Sequence, residues 1–323
     1  MQHIASAKNK KIITFAAVVI GSVMLLGCTK AKNEQLNLNI GYQKYGLLPV
    51  IKQRGELEAA LKKQGVALTW VEFPAGPQLL EGLNVGNVVF GEVGEAPPIF
   101  AQAANANLVY VAHQPTAPAA EALLVKANSP IKIVTELKGK RVALNKGSNV
   151  HYLLLKLLEA HQLTLKDIEV VYLAPSDARA AFERGAVDAW LIWDPFFAAA
   201  QQQLQARVLA DGKNLVQNYQ FYIADRQFAQ QHPELIKTVL AQLNTTSEWV
   251  SQHPKETAQI LEKPTGLSID ILTRSLKRMS FGVQPITAQI AQQQQSVADA
   301  FYQQKLIPNP INIQAAILAA HSQ

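Results

Sequence analysis

The sequence predicts an α/β protein of two lobes, each a mixed sheet flanked by helices, with a cleft between the lobes. From Leu36 onward, short β-rich runs alternate with helical patterns, as in this fold class. Removal of an N-terminal leader would leave roughly 295 of the 323 residues, and a chain of that length favours two lobes over one core.

Two segments, 73–98 and 172–195, look like copies of one supersecondary unit. Each runs through a proline-containing turn, a helix, a glycine, a strand and a second turn that opens another helix. Gly86 and Gly185 stand where the glycine that ends a helix belongs. One such unit in each half predicts two lobes of similar construction.

The elements of the first half follow in order. A strand at 38–42, a helix at 47–64 and a strand at 67–73 precede the first repeated unit. The part of the chain from Asp225 onward is mostly helical, and we expect it to complete the first lobe.

The chain is expected to cross between the lobes twice. A strand at 122–125 would carry it into the second lobe, and 221–224 would carry it back. We therefore assign residues 36–118 and 223–323 to lobe 1 and residues 119–222 to lobe 2.

Residues 1–27 have the pattern of a secretory signal peptide. Lys8, Lys10 and Lys11 form a basic start, and the uncharged, mostly apolar run 12–26 follows. That run is shorter than the roughly 18 to 20 apolar residues that span a bilayer, and it does not end in a basic stop-transfer cluster. We therefore expect the leader to be removed.

The four residues 25–28, Leu-Leu-Gly-Cys, resemble the bacterial lipobox, whose cysteine is acylated and becomes the first mature residue. Cys28 is the only cysteine in the chain and lies at the expected cleavage site. We predict that it carries a lipid anchor and that 28–35 form a linker. An ordinary signal peptide with an incidental cysteine is the alternative.

The composition argues against several functional classes. The formal net charge of +6 falls to +3 without the three leader lysines (27 basic against 24 acidic residues), which does not predict nucleic-acid binding. The seven histidines show no metal-binding spacing, and the sequence has no nucleophile elbow or phosphate loop. We therefore predict no metal, cofactor or catalytic group.

Candidate ligand-binding residues lie at the carboxyl ends of predicted strands, where ligands bind in open α/β sheets. They are Gln43, Gly94, Glu95, Gly147, Ser148, Asn149, Trp193 and Asp194, with Tyr222 near the return crossover. Asp194 is expected to cap the following helix rather than to contact an anion, because like charges repel. Tyr222 would either close the pocket or pack at the hinge.

The segment 142–158 reads as a strand, a glycine turn at Gly147 and a helix. Free N–H groups and the positive end of the helix dipole make such a helix start attractive to an anion. Plain capping of the helix by Ser148 is the alternative that spacing leaves open.

Several strings, in their order along the chain, resemble the aliphatic sulfonate-binding proteins of ABC importers. They are residues 41–44 (Gly-Tyr-Gln-Lys), 70–78, 97–104, 146–148 (Lys-Gly-Ser), 177–182, 187–190 and 192–195 (Ile-Trp-Asp-Pro). The likeness extends over nearly the whole chain after the leader. Binders of nitrate, taurine and thiamine precursors share the fold and remain alternatives.

The resemblance implies lobes that close like a hinge around a sulfonate. The implied sulfonate contacts are Gln43, Ser148, Asn149 and the backbone around Gly147. A sulfonate stays ionised at physiological pH, so neutral donors and helix dipoles can hold it. Trp193 would wall the alkyl part of the ligand, and Glu95 would select a ligand with an ammonium group, such as taurine.

The resemblance also implies a periplasmic, lipid-anchored monomer that binds alkanesulfonates for sulfur acquisition. Its partners would be the alkanesulfonate, an ABC permease of the inner membrane, and the membrane through acylated Cys28. A ligand sensor coupled to a membrane receptor is one rival class. An enzyme is the other, because a pyrimidine-forming protein of thiamine biosynthesis shares the fold, but the sequence has no reactive constellation.

Overall fold

The architecture comes from a computed structural model that describes residues 36–318. The predicted signal peptide at 1–27, the linker at 28–35 and the anchor Cys28 lie outside the described residues. The described residues form one compact unit by themselves.

The strands are β1 (Asn37–Tyr42), β2 (Ala67–Glu72), β3 (Phe90–Gly94), β4 (Leu108–His113), β5 (Glu121–Val125), β6 (Arg141–Leu144), β7 (Glu169–Tyr172), β8 (Ala189–Trp193), β9 (Arg207–Asp211) and β10 (Gln220–Asp225). The helices are α1 (Leu47–Arg54), α2 (Glu56–Lys63), α3 (Gly76–Asn84), α4 (Ala96–Ala103), α5 (Asn149–Ala160), α6 (Pro175–Arg184), α7 (Phe196–Gln203), α8 (Arg226–Gln231), α9 (Pro233–Gln252), α10 (Pro254–Thr265), α11 (Ile269–Leu276) and α12 (Ala288–Gln303).

Two five-stranded sheets have the same construction. Their orders are β2-β1-β3-β10-β4 in lobe 1 and β7-β6-β8-β5-β9 in lobe 2. The first three strands of each sheet are parallel, and the fourth, β10 or β5, runs antiparallel to both of its neighbours. The predicted class of two mixed sheets flanked by helices is therefore confirmed.

The sheets are held by apolar strands that are covered by helices. In lobe 1, Leu38 and Ile40 of β1 are fully buried in the same cluster as Ile51 of α1. In lobe 2, Trp190 and Leu191 of β8 are fully buried and belong to different clusters, because successive side chains of a strand point to opposite faces. A strand covered on both faces reads as a continuous apolar run.

Glycines end helices at several of the expected positions and at one that was not expected. Gly86 and Gly185 follow α3 and α6 with φ of 77° and 72°, as the repeated unit predicts. The single helix predicted at 47–64 is wrong, because the chain forms α1 and α2 on either side of Gly55. Its φ of 70° is left-handed and ends α1.

The chain passes from the first sheet to the second between β4 and β5, and returns between β9 and β10. β10 already begins at Gln220 and pairs with β3 over 220–224. The predicted start of the returning lobe 1 segment, at residue 223, therefore falls inside a lobe 1 strand.

The helices after β10 reach both lobes. α9 and α10 pack against α1 of lobe 1, whereas α11 packs against α7 and α12 against α5 of lobe 2. None of the helices in 36–318 combines the length and apolar character that crossing a membrane requires.

Candidate functional site

A cavity of about 560 Å³, here called the large cavity, lies between the lobes. Lobe 1 contributes residues after β1 and β2 and on β3, and lobe 2 contributes residues at the end of β8 and at the starts of α6 and α7. Its apolar lining includes Phe73, Trp193, Phe196, Leu267 and Met279. The cavity could therefore receive an apolar chain.

A second cavity of about 50 Å³, here called the small cavity, adjoins the first. Gln43, Trp193, Asn218 and Gln220 line both. The first residues of three helices also line the small cavity, at Gly76 and Pro77 of α3, Pro97 of α4 and Asn149 of α5. The starts of α3 and α5 favour an anion in this space, whereas α4 begins with Ala96, whose N–H is bonded to Asn149, and two prolines, which have no N–H.

The start of α5 does not use its serine as a cap. Ser148 is at the N-cap position, but its hydroxyl donates to the carbonyl of Asn145 at 2.7 Å. Among the described residues, no side chain accepts a capping hydrogen bond at this helix end. The Ser148 hydroxyl therefore does not cap α5, which was the alternative to an anion at this helix start.

Asn149 joins α5 to the other lobe. Its Oδ1 accepts from the N–H of Ala96 at 3.3 Å, and its Nδ2 donates to the side chain of Asn218. Gly94 lies against this amide so closely that a Cβ at residue 94 would be 2.0 Å from Asn149 Oδ1. The contact between the lobes at this point therefore depends on a glycine.

Gln43 and Trp193 face each other across the site from different lobes. Gln43 follows β1 and donates from Nε2 to the carbonyl of Glu92 at 3.3 Å. Trp193 ends β8, is partly exposed, and packs edge-on against Phe196. Both line the large and the small cavity.

Asp194 is held by hydrogen bonds within the protein. Its Oδ1 accepts from the N–H of Ala198 at 3.1 Å, which agrees with the predicted role at the start of α7. Its carboxylate also forms a bidentate pair with Arg278, with both N–O distances at 2.7 Å. Burial nevertheless raises the pKa of Asp194 to about 6, against the lowering effect of Arg278.

Three of the predicted site residues are not among the described residues that line the two cavities. Gly147 lies against Phe100. Tyr222 is fully buried on β10, and its hydroxyl accepts from Gln114 at 3.0 Å. Glu95 is 1% exposed and accepts from the N–H of Tyr219 at 3.1 Å.

Glu95 is one of two neighbouring buried carboxyls from different lobes. Burial raises its pKa to about 7, and hydrogen bonds from the backbone of Tyr219 and Asn218 only partly oppose this. Glu121 at the start of β5 is fully buried, and its pKa is also raised, first by burial and then by the charge of Glu95. The two carboxyls therefore favour protonation in the folded protein.

We expect Glu95→Gln to raise the free energy of unfolding by about 1 to 3 kcal/mol at pH 8, and by less toward pH 5. A carboxyl with a raised pKa binds its proton more tightly in the folded state, so it costs stability as pH rises from about 4.5 to about 7. Urea denaturation at both pH values measures the effect. The exposed Glu262→Gln is the control, and an equal gain at both pH values would contradict the prediction.

Several cavity residues were not predicted from the sequence. They are Glu92, Arg179, Asn218 and Gln220, together with Arg278, which pairs with Asp194. Arg179 lies in a string that carried the family resemblance, and its position at the start of α6 was a usable signal. Arg278 gave no local signal, because it is 84 residues from its partner.

Known proteins resemble this chain in sequence and in structure. Residues 61–257 match the model of the family described as NMT1/THI5 like. The alkanesulfonate-binding protein SsuA from Xanthomonas axonopodis pv. citri, bound to MOPS, is 41% identical with a TM-score of 0.84, covering 88% of this chain and 98% of that one. The periplasmic aliphatic sulphonate binding protein SsuA from Escherichia coli is 42% identical with a TM-score of 0.80, covering 89% and 93%. The taurine-binding periplasmic protein of Escherichia coli K12 is 27% identical over 63% of each chain.

The paired sheets, the cleft between them and these relatives define the class as a two-lobed solute-binding protein with the periplasmic binding protein fold. The chain belongs to the NMT1/THI5-like family and, within it, to the aliphatic sulfonate-binding proteins. The resemblance predicted from the sequence is therefore confirmed. The relatives are binding proteins, which agrees with the prediction of a binder rather than an enzyme.

Proposed function

We propose that this protein is the extracytoplasmic solute-binding component of an ABC importer and binds an aliphatic sulfonate between its lobes. One observation carries the proposal: a small cavity suited to an anion adjoins a larger, mostly apolar cavity, and both are lined by Gln43 and Trp193. A sulfonate with an alkyl chain has the same two-part character.

The sulfonate group occupies the small cavity in this proposal. The small cavity measures about 50 Å³, several times the roughly 10 to 15 Å³ that a cavity needs to hold one water, and this leaves room for a compact headgroup. The starts of α3 and α5 supply positive helix ends, and the Gln43 amide supplies a neutral donor. Ser148, Asn149 and Gly94 shape the wall around the headgroup.

The alkyl part extends into the large cavity, where Trp193, Phe73 and Phe196 offer apolar surface. Burying a CH₂ group contributes about 0.8 kcal/mol, so affinity should rise with chain length until the cavity is filled. Sulfate and nitrate have no alkyl chain and would gain nothing from this surface. The two cavities together therefore select an organosulfonate over a small inorganic anion.

Export and anchoring complete the proposal. The leader at 1–27 directs the chain across the membrane, Cys28 carries the lipid, and the protein acts as a periplasmic monomer that delivers its ligand to a permease. The lobes comprise 36–118 with 223–323, and 119–222, adjusted to keep all of β10 in lobe 1. A receptor-coupled sensor would share the site but would bind a receptor in place of a permease.

Calorimetry tests the ligand class directly. The chain from Thr29 onward contains the whole compact unit and can be titrated with ethanesulfonate, 1-butanesulfonate, taurine, sulfate and nitrate. We expect micromolar or tighter binding of the organosulfonates and none of the inorganic anions. Binding of nitrate or sulfate without binding of any organosulfonate would contradict the proposal.

A further inference from the structure

Glu92 is a buried carboxyl that lines the large cavity. It lies on β3, is 7% exposed, and its Oε2 has no hydrogen-bond partner among the described residues. The N–H groups of Leu47 and Leu48 and the Gln114 amide face the carboxyl, and Tyr222 lies opposite it on β10. None of these groups is a cation, and the N–H groups, which belong to the first turn of α1, offset the burial of the carboxylate only in part.

The other charged groups of the cavity already have partners of opposite charge. The pairs are Lys44 with Glu72 at 3.6 Å, Arg179 with Glu183 at 2.8 Å, and Asp194 with Arg278 at 2.7 Å. Within residues 36–318, Glu92 is the lining carboxylate that has no such partner. A plain alkanesulfonate would therefore add a second anion to a cavity that already holds a carboxyl without a cationic partner.

The position of Glu92 relative to the small cavity fits a ligand with two charges. Gly94 lines the small cavity and Glu92 the large one, and the two residues lie on one face of β3. Two residues of a strand span roughly 6.6 Å. An anion beside Gly94 and a cation beside Glu92 would thus be separated by a short carbon chain.

Building on the proposed sulfonate site, we propose that Glu92 is the specificity-determining residue for sulfonates that carry a cationic nitrogen two or three carbons from the sulfur. The sulfonate lies among the helix starts of the small cavity, and the nitrogen donates to the carboxylate of Glu92, which lines the large cavity. The ligand then brings the positive charge that the cavity lacks. This role is the one that the sequence suggested for Glu95, whose carboxylate bonds to the backbone of Tyr219.

The protonation of Glu92 should respond to the charge of the ligand. Burial raises its pKa to about 7, so near neutral pH it is partly protonated before the ligand arrives. A cationic nitrogen beside it favours the carboxylate and expels the proton, whereas a second anion favours the acid. The two ligand classes should therefore exchange protons in opposite directions on binding.

Matched ligand pairs test the role of Glu92. Taurine and 1-propanesulfonate differ by an ammonium in place of a methyl group, and so do 3-aminopropanesulfonate and 1-butanesulfonate. For the chain from Thr29 onward at pH 8, we expect at least one aminosulfonate to bind about tenfold or more tightly than its methyl partner. Glu92→Gln should abolish that preference, and Glu262→Gln, at an exposed residue outside the cavities, should leave it unchanged.

The outcomes separate this inference from the proposed function. Binding of the alkanesulfonates with no preference for either aminosulfonate, or a preference that survives Glu92→Gln, overturns the inference and leaves the sulfonate site intact. No binding of any sulfonate overturns both.

Calorimetry in two buffers of different ionisation enthalpy provides a second readout at pH 7. We expect the protein to release protons with 3-aminopropanesulfonate and take them up with 1-butanesulfonate. Thermal denaturation verifies that Glu92→Gln is folded. In this variant the difference in proton exchange between the two ligands should become much smaller. Equal proton exchange by the two ligands would contradict the proposed contact.

Discussion

Arg278→Met should lower the free energy of unfolding by about 3 to 5 kcal/mol at pH 8. Arg278 is the partner of Asp194, whose side chain is fully buried, and it also packs over the Phe197 ring at 3.8 Å. Removing the guanidinium leaves a buried carboxylate without its cation, and that is far more costly than the loss of an exposed ion pair. Urea denaturation measures the change.

The same substitution should have a characteristic pH dependence. Arg278 holds down the pKa of Asp194, so its removal raises that pKa further above the usual 3.8. A carboxyl whose pKa is raised in the folded state destabilises the fold as pH rises through that pKa. The loss in free energy of unfolding caused by Arg278→Met should therefore be smaller at pH 5 than at pH 8. Asp194→Asn added to Arg278→Met should restore most of the loss.

Arg274→Met provides the control, because Arg274 is exposed on α11. It should change stability by less than about 0.5 kcal/mol. A deficit in Arg278→Met no larger than that of Arg274→Met, or one independent of pH, would contradict the importance of the buried pair.

Gly94→Ala should lower the free energy of unfolding by about 2 to 4 kcal/mol. The new Cβ would lie 2.0 Å from Asn149 Oδ1, and the amide cannot move without losing its bonds to Ala96 and Asn218. The small cavity borders the same residues, so 1-butanesulfonate affinity should fall in parallel.

A double-mutant cycle distinguishes the collision from a general effect of the alanine. In the Asn149→Ala background the colliding atoms are absent, so Gly94→Ala should then cost less than about 1 kcal/mol. Urea denaturation of the unmodified protein, the two single variants and the double variant measures the coupling free energy between the two positions. Additive losses would show that the contact between Gly94 and Asn149 is not the cause.

The general architecture could be predicted because it depends on local pattern. The alternating strand and helix runs predicted the two mixed sheets, and the repeated unit with Gly86 and Gly185 predicted that the two lobes are built alike. The break at Gly55 was missed because a single glycine within a helical pattern is compatible with either a continuous or an interrupted helix.

The site was predictable only where it is built from consecutive residues. The start of α5 at Ser148 and Asn149 follows from a strand, a turn and a helix in sequence. Glu92 lies on β3, and pairing with β10 decides which face of that strand is turned toward the cleft. Glu95 follows β3, and its carboxylate accepts from the backbone of Tyr219, which is distant in the sequence. The pair between Asp194 and Arg278 joins distant segments, so no local pattern could reveal it.

The location of the ligand is tested most directly by a crystal structure of the chain from Thr29 onward with 1-butanesulfonate. We expect the sulfonate oxygens in the small cavity, within hydrogen-bond distance of Gln43 and the first turn of α5, and the alkyl chain against Trp193. A sulfonate bound outside the two cavities, or turned with its alkyl end toward α5, would contradict the proposed site.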